Sequence, residues 1–240
     1  MWLVILLAVL VIIGLIGYTI FRHRRHLLTT TGTKIDPRDR PNSALLIIDL
    51  QEDFTLAKGK NGYEPALVDK VINAINDLVT YANENGYPVI SIRQTFKGWY
   101  VNFLVNLLNK GRGGPASQGL DIDDRLFGDI DHDIVKAHAD AFREPVLEQV
   151  LERQKVGKLI IVGLDGNYCV NKTTHAALNR GYEVSFSDAT TLAIKPSSWR
   201  KTRSGMMARG ATDQINHNSN DTSQPANSAN DETKMNEPAQ

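Results

Sequence analysis

Three residues of this sequence have the types and surroundings that nucleophilic chemistry needs. Cys169 is the only cysteine in 240 residues. It ends the stretch Gly163-Leu164-Asp165-Gly166-Asn167-Tyr168-Cys169, between an apolar run and a segment with helical spacing. Asp49 closes the run Leu45-Leu46-Ile47-Ile48, and Lys136 closes Ile134-Val135. A thiol at a helix N-terminus beside a cation is shifted toward thiolate. A carboxylate within reach takes the thiol proton and hands it to a leaving amine. The turn 164–167 would offer backbone N–H groups to a developing oxyanion. Such a trio performs acyl transfer once the fold brings it together. Spacing alone leaves that open, because three polar residues at strand ends can also be three unrelated surface groups. Asp188 closes another strand candidate, but its neighbours give it no evident partner.

The elements that must position these residues follow from the hydrophobic pattern. Short apolar runs at 43–49, 89–92, 133–136, 159–162 and 182–186 read as buried strands. Residues 66–84 show helical spacing, with Val68, Val71, Ile72, Ile75, Leu78 and Val79 on one stripe. Further helices are predicted over 99–108, from Val146 after Pro145, over 167–178, and over 197–209 before Gly210. Strand and helix alternate, which gives an α/β fold: a three-layer sandwich with a mostly parallel sheet between helices. In such sheets ligands bind beyond the C-terminal strand ends, where Asp49, Lys136 and Cys169 fall. The Gly-rich stretch 110–120 cannot be regular over its length and reads as a lid or an oligomer contact. No Gly-Lys-Ser/Thr follows it, so it is no phosphate loop.

Composition narrows the classes. Lys plus Arg equals Asp plus Glu at 27 each, so no net field points to nucleic acid. One cysteine excludes an internal disulfide scaffold and a zinc site of several cysteines. Residues 1–21 carry no charged side chain and, at about 1.5 Å per residue, are expected to cross a bilayer as a transmembrane anchor. They lack the basic start and small-residue cleavage site of a signal peptide. Arg22, His23, Arg24, Arg25 and His26 follow, which by the positive-inside rule turns the next domain to the cytoplasm. That reducing side suits an unpaired thiol. The expected organisation is an anchor at 1–21 with the lipid bilayer as partner, a basic flank and linker at 22–41, a catalytic domain at 42–212, and a disordered Asn/Ser/Pro-rich tail at 213–240.

The domain resembles the isochorismatase-like family of cysteine hydrolases, which includes nicotinamidases and N-carbamoylsarcosine amidohydrolases. The resemblance rests on Asp49-Leu50-Gln51-Glu52-Asp53-Phe54 after the first strand, and on Lys136 followed by Asp140-Ala141-Phe142. It rests also on Gly163 through Cys169-Val170 with Thr173, Thr174 and Ala176 after it, and on Ser187-Asp188-Ala189. It implies a six-stranded parallel sheet with helices on both faces, and Asp49, Lys136 and Cys169 as a catalytic triad. It also implies a cis Leu164–Asp165 bond that turns the Asp165 N–H toward that of Cys169, the two forming the oxyanion hole. Homo-oligomers are common in the family, and no interface is legible in this sequence.

The departures shape the substrate reading. The family's Thr is Gly166 here, which is expected to loosen the loop or enlarge the pocket, and its Ser is Asp140, a possible extra charge near Lys136. Nicotinamidases hold a metal with an Asp-x-His pair after the second strand. The corresponding Ser91-Ile92-Arg93-Gln94-Thr95-Phe96 has no histidine, so neither a metal nor any other cofactor is expected. Isochorismatases proper lack the cysteine, so Cys169 argues for a small amide, ureide or carbamoyl substrate cleaved at C–N through a thioester. Phe54, Gln94, Arg93, Trp99 and Tyr168 are the candidate pocket residues, with Arg93 as a bidentate fork for a carboxylate. Phe54 and Trp99 read as readily as core residues, and Arg93 as the partner of a surface acid. The rival readings are isochorismatase-type hydrolysis that does not use the cysteine, and a membrane-tethered binding or scaffold protein that has lost catalysis.

Overall fold

The computed structural model describes residues 2–57 and 62–213. The elements in chain order are α1 (Trp2–His26), β1 (Asn42–Ile48), α2 (Glu52–Thr55), α3 (Pro65–Glu84), β2 (Val89–Gln94), α4 (Trp99–Asn109), β3 (His132–Lys136), α5 (Pro145–Arg153), β4 (Val156–Leu164), α6 (Cys169–Asn179), β5 (Glu183–Ser185), β6 (Thr191–Leu192) and α7 (Pro196–Ala208). The strands form one six-stranded sheet in the order β3-β2-β1-β4-β5, and β6 also pairs with β4. Every pairing is parallel. The register aligns the functional ends. Ile48 pairs with Ile92 and Gly163, and Gln94 pairs with Lys136. Asp49, Gln94, Lys136 and the turn after β4 therefore leave the same edge of the sheet.

The central strand β1 is apolar throughout because both of its faces are covered. Leu45 and Ile47 pack with Val68, Val71, Ile72 and Ile75 of α3. Ala44, Leu46 and Ile48 point the other way, into a core with Leu147 and Leu151 of α5, Val170 and Ala176 of α6, and Trp199 and Met206 of α7. The period-2 alternation of the strand thus feeds two cores at once. The stripe read for residues 66–84 is the buried face of α3, which Glu64 caps by accepting from the N–H groups of Ala66 and Leu67.

Three local expectations change. α6 begins at Cys169 rather than 167, because residues 165–168 form the turn that delivers the cysteine. The one-turn helix α2 and the two-residue β6 were too short to leave a periodic signal. Asp140, expected as a possible extra charge near Lys136, instead binds chain upstream of residue 42. Asp140 is buried and accepts from Phe142 N at 2.8 Å, and from both Thr30 N and Thr30 Oγ1 at 2.7 Å. Its carboxylate faces the incoming chain, and Asn179 and Arg180 also bind Thr30.

The expected transmembrane anchor at 1–21 is corrected. Helix α1 forms, but among the described residues no helix is long and apolar enough to cross a membrane. The bilayer as partner, the single-pass placement, the cytoplasmic facing and anchoring as part of the function fall with it. Of the tail expected at 213–240, Asp213 is paired with Arg203, and residues 214–240 lie outside the described residues.

Asp140→Ala is expected to lower stability by about 2 kcal/mol, because it strands buried N–H donors of Thr30 and Phe142. Chemical denaturation measures it, and an unchanged midpoint would show that Asp140 does not hold the entry segment.

Candidate active site

Asp49 follows β1 with φ 53, a left-handed conformation uncommon outside glycine and best tolerated by Asn and Asp. The Asp49 N–H donates to Ile92 O at 2.8 Å and Gln51 N donates back to Asp49 O at 2.8 Å, which fixes the turn. The carboxylate is buried against the end of β3. Lys136 Nζ lies 2.9 Å from Asp49 Oδ2, 2.6 Å from Gln94 Oε1 and 3.3 Å from Cys169 Sγ. An ammonium has three protons, and here each has an acceptor. The three residues read from the sequence therefore meet around one cation, with Gln94 as a fourth member. Asp49 Oδ1 is buried without a partner of its own, and so is Gln94 Nε2.

Gln51 and Asp53 position this centre from behind. Gln51 Nε2 donates to Gln94 O and Leu120 O, and Gln51 Oε1 accepts from Gln94 N at 2.6 Å. Asp53 accepts from Gly113 N at 2.6 Å and Ser117 Oγ at 2.7 Å, while its own N–H donates to Gly119 O. The Gly-rich segment is thus stitched to the loop after β1. Both residues stand in the Asp-x-Gln-x-Asp-Phe pattern, but only the pairing partners reveal what they do.

The turn that carries Cys169 follows from close approach. Gly163 has φ 107, and a Cβ there would lie 2.2 Å from Ile48 O, so a side chain is excluded where β4 meets β1. The Leu164–Asp165 bond is cis. In this turn Gly166 N donates to Leu192 O, and Tyr168 N and Val170 N donate to Asp165 O. The Asp165 and Cys169 amides are not among these donors. The Asp165 carboxylate braces the turn, accepting from Asn167 N, Ile194 N and Tyr63 Oη. Gly166 does not enlarge the pocket. Trp199 and Thr191 fill the space, and a Cβ there would lie 2.8 Å from the Trp199 ring.

Cys169 opens onto a cavity of about 500 Å³. Asp49, Gln94, Phe54 and Tyr168 line it with Cys169, as does Asp165. Arg93 and Trp99 do not. Arg93 is held by Asp133, with Nη2 to Oδ2 at 2.6 Å, and by Leu120 O. Trp99 is 77% exposed at the start of α4. The wall that the sequence reading missed is the other face of α4: Val101, Leu104, Val105 and Leu108, with Asn109 and Arg112 beyond. The i, i+3, i+4, i+7 spacing of those four was the available signal. Thr19 and Leu27, from α1 and its exit, complete the rim. Among the described residues no group of three or more His, Cys, Asp or Glu could hold a metal ion, and the end of β2 offers Arg93 and Gln94. These residues do not fit the metal centre that the nicotinamidase pattern carries.

Burial raises the Asp49 carboxyl above its ordinary value, against the pull of the Lys136 charge and the thiol. Burial pulls Lys136 down, but Asp49 and Cys169 outweigh it, so the ammonium persists. Burial pushes the Cys169 thiol well up, Asp49 adds to the rise, and Lys136 pulls against both. The expectation that Lys136 shifts the thiol toward thiolate thus has the right sign and the wrong net result. These directions favour an ammonium at Lys136 and a neutral thiol at Cys169.

Iodoacetamide should accordingly alkylate Cys169 slowly near neutral pH, with the rate rising in the alkaline range. Asp49→Asn is expected to move that titration down by removing a negative charge, and Lys136→Met to move it up. A rate already at its plateau near neutral pH would contradict the neutral thiol.

Comparison with known proteins agrees with this architecture. A family model for the isochorismatase domain matches residues 43–214. YaaI of Bacillus subtilis (strain 168), an uncharacterized isochorismatase family protein, is 27% identical over 146 residues, covering 60% of this chain and 77% of YaaI. The pyrazinamidase of Pyrococcus horikoshii, solved in complex with zinc, superposes with a TM-score of 0.60 at 25% identity, over 72% of this chain and 99% of that one. A nicotinamidase/pyrazinamidase of Bacillus subtilis gives 0.62 at 21%, over 72% of this chain and all of that one (100%). A cysteine hydrolase of Pseudomonas syringae pv. phaseolicola 1448A gives 0.62 at 18%, over 76% and 91%. The last two speak for the fold alone. With a family match that begins one residue into β1 and takes in every strand of the sheet, this chain belongs to the isochorismatase family of hydrolases.

Proposed function

We propose that the protein hydrolyses a C–N bond of a small amide, ureide or carbamoyl compound through a thioester on Cys169. The observation that carries this reading is the position of Lys136 Nζ, within hydrogen-bond reach of Asp49, Gln94 and Cys169 together. The substrate carbonyl enters above Cys169. Sγ attacks the carbonyl carbon as the thiol proton passes to Asp49, whose Oδ1 is the open acceptor. The carbonyl oxygen becomes an oxyanion held by the N–H groups of Asp165 and Cys169. Asp49 gives the proton to the nitrogen, the C–N bond breaks, and the amine or ammonia leaves. Water then attacks the thioester and gives a proton to Asp49, which returns it to sulfur as the acid departs. Lys136 keeps Asp49 ionised in a buried setting and holds the carboxylate and the thiol in one geometry. The open amide of Gln94 supplies a donor to the substrate. The similarity to a pyrazinamidase at the level of fold and sequence supports the amide class.

A panel of primary amides, ureides and carbamoyl compounds, read by ammonia or amine release, tests this. Cys169→Ala is expected to lower kcat by roughly 10³-fold or more on any substrate found. Full activity in that variant would instead favour isochorismatase-type hydrolysis without the cysteine.

The pH profile gives a second check. Asp49 must be ionised to accept the thiol proton, and burial raises its pKa, so kcat/KM should fall on the acid side above the ordinary carboxylate range. Lys136→Met removes the cation that opposes this rise and should move the acid limb to higher pH. An acid limb that stays in place would remove Lys136 from the mechanism.

A further inference from the structure

The charges that line the catalytic cavity are not equally satisfied. Asp49 is paired with Lys136. Both oxygens of Asp53 are taken, by Gly113 N–H and the Ser117 hydroxyl. Asp165 accepts from Tyr63, Asn167 and Ile194. Arg112 is different. It lines the cavity half-buried, and its backbone is tied down by Arg112 N to Asn109 O at 3.1 Å and Asn109 Nδ2 to Arg112 O at 3.3 Å. Its guanidinium has no ion pair or side-chain hydrogen bond among the described residues. Two other half-buried arginines are engaged: Arg93 by Asp133, and Arg125 by Asp123 and Asp69.

We propose, on the basis of the hydrolase reading above, that Arg112 selects substrates whose scissile amide is joined through an apolar spacer to a carboxylate. A planar guanidinium binds a carboxylate as a two-pronged fork. An unpaired cation beside apolar surface is costly until an anion arrives. The spacer would meet the cavity's apolar lining, which includes Val101, Leu104, Val105 and Leu108. A phosphate is a poorer match, because Arg112 is the only cation lining the cavity among the described residues apart from the already saturated Lys136 behind Asp49. The carboxylate role expected of Arg93 thus passes to a residue 19 positions later, on the loop after α4.

The test uses the full chain and the monoamides of straight-chain dicarboxylic acids, from succinamate to suberamate, against alkanamides of equal length. Wild type is expected to prefer one monoamide over its matched alkanamide by roughly 10-fold or more in kcat/KM, mostly through KM, with an optimum chain length. Arg112→Gln should cut that ratio to about 2-fold or less, and Arg112→Lys should restore it only in part. A ratio that survives Arg112→Gln, or a wild type that prefers the neutral amides, overturns the proposal. Binding of the same pairs to Cys169→Ser by calorimetry separates this from failure of the hydrolase reading. An Arg112-dependent preference in binding without turnover keeps the anion site and removes the hydrolysis. Equal binding of both members of each pair removes the anion site.

Discussion

The site is organised by one buried ammonium. Lys136 has no exposed surface, and a cation taken fully out of water persists only if its charge and its three protons are met. Asp49 meets the charge, and Asp49, Gln94 and Cys169 meet the protons. The dependence runs both ways. Without Lys136, Asp49 would be a buried carboxylate with no counter-charge, and the side-chain amide of Gln94 would lose the contact that sets its orientation. The thiol would be left facing Asp49 alone.

The geometry that lets these groups converge comes from backbone rather than side chains. Parallel pairing sets Gln94 opposite Lys136 and Ile48 opposite Gly163, so four strands end along one side of the sheet. At that level the chain takes conformations that regular strands do not: positive φ at Asp49, positive φ at Gly163 and the cis bond before Asp165. Gln51, Asp53 and Asp165 then use their side chains on backbone groups. Gln51 ties the loop after β1 to the end of β2, and Asp53 holds the glycine-rich segment against that loop. Asp165 braces the turn that carries Cys169. The segment at 110–120 is therefore pinned beside the cavity, with Arg112 at the cavity's edge.

How much of this was legible in the sequence depended on the range of the interaction. The strands of the central sheet and the buried stripe of α3 show local periodicity, and Asp49, Lys136 and Cys169 stand at the ends of apolar runs or just after one, where a parallel sheet exposes chemistry. What escaped required distant partners. Asp140 reads as a stray charge until Thr30, 110 positions away, is seen to bind it. Gly166 reads as a vacancy until Trp199 fills it. Arg93 reads as a substrate fork until Asp133 claims it. The uncharged N-terminal run was read as a membrane span on length and hydropathy, and among the described residues the helix it forms does not meet that standard. The sign of the Lys136 effect on the thiol was legible. Its magnitude relative to burial was not, because burial is a property of the packed site.

Because Cys169 is the only cysteine, its S–H stretch is the only thiol band this protein can show in the infrared. That band reads the protonation of Cys169 in the free protein, with no substrate and no alkylating agent. The expected result is an S–H band near neutral pH that is absent from Cys169→Ser and disappears only in the alkaline range. A spectrum without the band at neutral pH would mean a resting thiolate, and would contradict an ammonium–carboxylate–thiol centre in which Asp49 is the base.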